Sequence, residues 1–188
     1  MTVQQLVLDA SAMINLLGCG SPRTVLGAFK RRCVIEENTL KEVVRDPFIN
    51  GSAQPTMDQL MRDESLIVQR MSAAAYAQYL DLVSPEPRDA LGRGESAAIA
   101  HANDIGGVVV LDDLKARRIA RARFGACEQW TSVTMFRGAA ESLGLTKEQT
   151  SALICTAREK ARMHVLAEDL SWVESLPAVL AVGPARVL

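Results

Sequence analysis

Short apolar runs, each closed by a polar or small residue, punctuate most of the chain. Leu6-Val7-Leu8 is continuous and ends on Asp9, the pattern of a strand buried on both faces. Ser11 to Leu17 reads as a helix, and Ser21-Pro22 opens another that runs to Phe29. Cys33-Val34-Ile35 predicts a second strand, followed by a helix from Thr39 to about Asp46. The Pro, Gly, Asn and Ser content of PFINGSAQPTM (47–57) predicts a loop. Ser65 to Met71 is expected as a strand, Ser72 to Val83 as a helix, and SPEPRDALGRG (84–94) as a further loop. Glu95 to Asp104 is a helix of small residues, which Gly106-Gly107 turns into the strand Val108–Leu111, and Leu114 to Arg123 is again helical.

Strands alternating with helices predict an α/β fold around a central, mainly parallel sheet. In such sheets ligands collect beyond the carboxyl ends of the strands. After Trp130 the pattern changes, and 131–143, 146–163 and roughly 168–176 all read as helices. No Pro/Gly-rich linker precedes them, so 131–188 is expected to be a helical extension of the domain formed by 1–130. The 146–163 helix opens on a capping box, Thr146-Lys147-Glu148-Gln149, and its stripe of Leu153, Ile154, Ala157 and Ala161 is expected to pack intramolecularly.

Composition narrows the classes. A chain of 188 residues with 48% hydrophobic content is long enough for one well-filled domain. A net charge of −1 makes no global case for nucleic acid, so any such case is local. Cys19, Cys33, Cys127 and Cys155 are scattered without a C-x-x-C pair, which argues against a structural zinc site or a disulfide framework. MTVQQLVLDAS has neither the basic leader nor the apolar length of a signal peptide, and no apolar stretch reaches membrane-spanning length. A soluble cytoplasmic protein, with no membrane partner, is the expectation.

Acidic residues fall where the predicted strands end. Asp9 follows the first strand, where it could cap the next helix or face a ligand. Asp112 and Asp113 follow a later strand, and only one of them can cap the Leu114 helix. Glu95 opens the helix after Gly92-Arg93-Gly94, where the helix dipole alone favours it; Ala97, Ala98 and Ala102 would let that helix lie close to the sheet. Glu42 has a structural rival, since Thr39-Leu40-Lys41-Glu42 matches a capping box. Carboxylates gathered in one cleft repel each other unless a cation joins them, and a hard cation such as Mg²⁺ or Mn²⁺ takes oxygen ligands.

LVLDAS (6–11), VIEENTLKEVV (34–44), LGRGESAAIAHANDIGGVVVLDD (91–113) and KARRIA (115–120) together resemble the PIN-domain nucleases, particularly those of prokaryotic toxin–antitoxin pairs. The resemblance spans roughly residues 5–125 and implies a three-layer α/β/α PIN-like fold. It implies a catalytic set of Asp9, Glu42, Glu95 and Asp112. Asp9, Glu95, Asp112 and Asp113 are the candidate metal ligands. Ser11, two positions after Asp9, matches a small hydroxyl residue that would steady Asp9 or a metal-bound water. The implied activity is Mg²⁺- or Mn²⁺-dependent hydrolysis of RNA, with a cognate antitoxin and a homodimer as implied partners.

The basic run beside the second acidic tip fits that activity. Lys115, Arg117, Arg118 and Arg121 follow Asp113 directly, and Arg117 and Arg121 are four apart on one helix face. Arginine's planar fork suits phosphate oxygens, although a run of charge is also what a solvated helix face looks like. His101, a lone imidazole, is expected on the surface. A haloacid-dehalogenase phosphatase would need a second Asp where Ser11 stands. A response-regulator receiver pairs its acids after the first strand, and a dinucleotide-binding domain needs a glycine-rich turn that LDASAMINLLG lacks. The remaining rivals are a PIN-like module that binds RNA or protein without cutting, and a housekeeping RNA-processing nuclease.

Overall fold

A computed structural model describes residues 4–83 and 89–179; part of the expected 84–94 loop, residues 84–88, lies outside the described residues. Five parallel strands form one sheet: β1 (Leu6–Leu8), β2 (Cys33–Glu36), β5 (Ile67–Gln69), β6 (Val108–Val110) and β7 (Glu128–Trp130). Their order is β5-β2-β1-β6-β7, with β1 at the centre. Leu8 stands level with Ile35 on one side and with Val110 on the other, so the carboxyl ends of the three central strands lie flush. The chain leaves β1 in one direction and later returns to its other side as β6. That reversal opens a crevice above the strand tips, the place where ligands bind in open parallel sheets.

The two-residue period of the strands divides the core into two layers. Leu6, Leu8, Ile35, Val108 and Val110 pack beneath α1 (Ala10–Gly18), α8 (Ser132–Leu143) and α9 (Lys147–Ala161). Val7, Val34, Val109 and Leu111 pack beneath α6 (Arg93–Asp104) and α7 (Leu114–Arg123), with Leu82 of α5 (Ala73–Val83). The fold is a three-layer α/β/α arrangement, and its central sheet is parallel throughout. The C-terminal helices belong to this body: Met135, Phe136, Leu153, Ile154 and Ala157 share one core with β1. A side chain at Gly18 would land 2.6 Å from Cβ of Ala161, so the missing side chain lets α9 close onto α1.

Several elements depart from expectation, each for a local reason. The helix expected over 39–46 is a single turn, α3 (Glu37–Leu40), because Glu36 takes the cap: its carboxylate accepts from the N–H groups of Asn38 (2.6 Å) and Thr39 (3.4 Å). The capping box read at Thr39 therefore does not form. Thr39 is buried instead, and its hydroxyl donates to the Gly94 carbonyl (2.9 Å). The expected 47–57 loop holds the turn of a hairpin, β3 (Arg45–Asp46) with β4 (Gly51–Ser52), and the start of α4 (Gln54–Arg62). Pro55, read as a breaker, sits in the first turn of α4, where no N–H is missed. Buried Asp46 ties this segment together by accepting from the Phe48 N–H (2.9 Å) and the Thr56 hydroxyl (2.8 Å). α2 (Pro22–Gly27) and α10 (Ala167–Glu174) fall near their expected places. No helix among the described residues is long and apolar enough to cross a membrane.

Phe136 of α8 is completely buried in the β1 core. Phe136→Ala should cost about 3–5 kcal/mol of stability, read as a fall in the urea midpoint. A loss below about 1 kcal/mol would mean that α8 is a detachable appendage rather than part of the core.

Candidate active site

Asp9 leaves the tip of β1 with no exposure to water. Its Oδ1 accepts from the Ala12 N–H at 2.6 Å and caps α1, so the structural role foreseen for it is real. Its Oδ2 is buried and has no hydrogen-bond partner among the described residues. Burial pushes this carboxyl well above the usual carboxylate range; the Ala12 N–H opposes the shift, and the charges of Asp112, Glu95 and Asp113 add to it.

The pair after β6 divides its labour. Asp113 caps α7, its Oδ1 accepting from the Ala116 N–H at 2.7 Å. Asp112 caps nothing in its own helix. Its Oδ1 accepts from the Ser132 N–H (2.8 Å), and its Oδ2 accepts from the Ser132 hydroxyl and from Asn15 Nδ2 (2.8 Å). Asn15 lies on α1, nearly two turns beyond the Asp9 cap, and bonds the Ser132 hydroxyl as well (3.2 Å). Three donors from two helices thus fix one carboxylate. Ser132 and Asn15 escaped the sequence reading; the only signal for Asn15 is a polar residue inside an otherwise apolar helix.

Glu95 and Glu42 meet around the N-terminus of α6. Glu95 is half-buried, and its Oε2 accepts from the Gly92 N–H (3.1 Å). Burial raises its carboxyl above the ordinary value; the Gly92 N–H and Lys115 oppose this, while Asp113 and Glu42 reinforce it. Glu42 Oε1 accepts from the Gly94 N–H at 2.7 Å. A Cβ at Gly94 would run into this carboxylate, which explains the glycine. The five acids therefore feel one another across the crevice, although among the described residues no three His, Cys, Asp or Glu side chains form a group that could hold a metal ion by themselves. The donor set still fits a cation that brings its own water: an orphaned, buried carboxyl oxygen feels the charges of Asp112, Glu95 and Asp113, and Mg²⁺ commonly binds through one or two carboxylates plus water.

The basic residues do not all face this crevice. Arg117 was expected on an exposed phosphate-binding face with Arg121, but it is buried. Its guanidinium donates to the carbonyls of Leu111 and Trp130 (both 3.1 Å) and pairs with Glu168 of α10 (2.6 Å). It clamps the tips of β6 and β7 to the C-terminal helix and is not available to a ligand. Lys115 Nζ donates to the Ala90 carbonyl (2.6 Å) and lies close enough to Glu95 to act on its titration. Arg118 pairs with Asp89 in solvent (3.1 Å), whereas Arg121 is exposed and makes no ion pair among the described residues. Ser11 is exposed in the first turn of α1. His101, expected on the surface, is buried against β5, its Nε2 2.7 Å from Gln69 Oε1 and its Nδ1 without a partner. Desolvation lowers its pKa, with Asp104 opposing.

A family model described as a PIN domain matches residues 5–124, well over half of the chain. The chain belongs to the PIN-domain family. PIN domains form a nuclease superfamily that usually depends on divalent metal ions. No curated protein matches the chain. The PIN-domain match contains all five acids and ends at α7, so Ser132 and Glu168, which orient Asp112 and Arg117, come from beyond it.

The raised carboxyls have a consequence for stability. Asp9 and Glu95 keep a proton in the folded protein at pH values where the unfolded chain has released it. They therefore favour the fold at acidic pH, and that contribution is lost as pH rises through their folded-state values. Asp9→Asn keeps a good cap and removes the buried charge. Without metal, the variant should melt above wild type at neutral pH, and the gap should narrow as pH falls toward the unfolded-state carboxylate range. The lowered pKa of His101 acts in the opposite sense but cancels in the comparison. A melting difference that does not change with pH would contradict this reading of Asp9.

Proposed function

We propose that this PIN-domain protein is a metal-dependent endoribonuclease that uses Mg²⁺ or Mn²⁺ to hydrolyse RNA phosphodiester bonds. The observation that carries the reading is Asp9 Oδ2: a fully buried carboxyl oxygen with no hydrogen-bond partner among the described residues, pressed by the charges of Asp112, Glu95 and Asp113. A folded protein tolerates such a group when a cation is its normal occupant. Asp9, Asp112 and Glu95 would hold the ion, directly or through water, with Asp113 contributing charge. A divalent cation at such a site supplies an activated water and offsets the charge that develops on the phosphate.

The protein's own part is orientation. The Ala12 N–H holds one oxygen of Asp9 and leaves the other free. Ser132 and Asn15 fix the plane of the Asp112 carboxylate, so it need not reorganise when substrate arrives. Glu42 spends Oε1 on Gly94 and retains Oε2 to orient an attacking water. Ser11, Lys115, Arg118 and Arg121 are the residues we assign to the RNA backbone, Arg121 foremost because it is exposed and makes no ion pair among the described residues.

The biological setting we propose is the toxin of a type II toxin–antitoxin pair, working in the cytoplasm as a homodimer and silenced by a cognate antitoxin. This rests on the resemblance carried by LGRGESAAIA and VVVLDD. Growth arrest on expression, relieved by co-expressing a small adjacently encoded protein, is its test; arrest that no such protein relieves points to a housekeeping nuclease. The competing reading, an RNA-binding module that does not cut, takes its support from the lack of a three-residue metal group among the described residues.

Asp9→Asn and Asp112→Asn should each abolish Mn²⁺-dependent cleavage of single-stranded RNA while leaving the circular dichroism spectrum unchanged. Turnover by wild type in excess chelator would refute the metal mechanism. Arg121→Ala should weaken RNA binding and reduce the slope of log affinity against log salt by about 1. An unchanged slope would return α7 to a solvated face.

A further inference from the structure

Both tryptophans of a chain with only 4% aromatic residues meet at one cleft. Trp130 ends β7 and Trp172 lies on α10; both are half-buried and line a cavity of about 340 Å³, within the range of small-molecule sites. The Arg137 guanidinium stands 5.5 Å from the Trp172 ring centroid, and Arg31 stands 5.5 Å from that of Trp130.

The charges of the cleft are mostly spoken for. Glu141 pairs with Arg137 (3.0 Å), and Glu168 pairs with Arg117 (2.6 Å). Asp169 keeps Oδ2 buried, away from solvent. Glu141 and Glu168 stay exposed with their charges paired, beside two half-buried indoles and the exposed guanidinium of Arg137. The cleft also adjoins the acidic crevice. The Trp130 carbonyl accepts from the Leu111 N–H (2.9 Å), and the two residues after Trp130 lead to Ser132, which holds Asp112.

We propose that the cleft between Trp130 and Trp172 is a stacking subsite for an unpaired base of the RNA strand cut at the neighbouring acidic crevice. The inference rests on the ribonuclease reading and adds to it a base contact outside the acidic crevice, made by residues beyond the PIN-domain match. Bases splayed out of a single strand stack on tryptophan rings and on arginine planes with little regard to sequence, whereas a paired base keeps both faces inside its own helix. Trp130 alone would offer a surface patch. Trp172, brought from the C-terminal helices by the Arg117–Glu168 pair, makes it a cleft.

The test uses the full chain in excess chelator, so that no strand is cut. Octauridylate is the probe, and a blunt RNA duplex of equal length is the control. Octauridylate should quench the tryptophan fluorescence, which comes only from Trp130 and Trp172, and the duplex should not. By anisotropy of labelled octauridylate, Trp172→Leu should weaken binding about tenfold, while Trp172→Phe, which restores a ring, should recover most of it. Thermal melting of both variants separates lost stacking from lost fold. Equal affinity of the Leu and Phe variants, quenching by duplex as strong as by single strand, or binding without quenching each overturns the subsite, as does a failure to bind. Cleavage with Mn²⁺ is scored separately: quenching without cleavage keeps the subsite and sinks the nuclease reading, and cleavage without quenching does the reverse.

Discussion

A carboxyl group sealed from water, with one oxygen capping a helix and the other left without a hydrogen-bond partner among the described residues, is the constraint around which this protein is organised. Burying an unpaired charge is among the costliest things a fold can do, and the group's raised proton affinity is one way of relieving it. The parallel sheet makes the arrangement hard to avoid. β1 sits at the centre, its tip level with those of β2 and β6, so a side chain following β1 points into the crevice where the strand order reverses. Asp112 reaches the same crevice from the far side, and α6 brings Glu95 to it.

The helices beyond the PIN-domain match are more than cover. Ser132, at the start of α8, holds both oxygens of Asp112, and Glu168 on α10 neutralises Arg117, which in turn bonds the carbonyls at the tips of β6 and β7. A carboxylate fixed by three donors from two helices is preorganised, and preorganisation is where electrostatic catalysis gains most over water. The family core supplies the charges, and the C-terminal helices hold one of them still.

Much of this was legible in the residues. The continuous apolar runs at Leu6–Leu8 and Val108–Val110 read as buried parallel strands, and the acids at their ends were expected to converge. What escaped was decided by contacts distant in sequence. Arg117 and Arg121 share a helical spacing, but which of them faces inward depends on Glu168, 51 residues away. Glu42 fits a capping box that never forms because Glu36 reaches the same turn first, and the freed carboxylate finds Gly94, 52 residues on. β7, Glu-Gln-Trp, is a short edge strand paired only to β6, so it carries no apolar run to announce it.

The most direct test of the central claim is a crystal soaked in Mn²⁺ and measured for anomalous scattering. An ion should appear within bonding distance of Asp9 Oδ2, shared with Asp112 or Glu95 directly or through water. A saturating soak that leaves the crevice without an anomalous peak, or places its only peak elsewhere, would contradict the account.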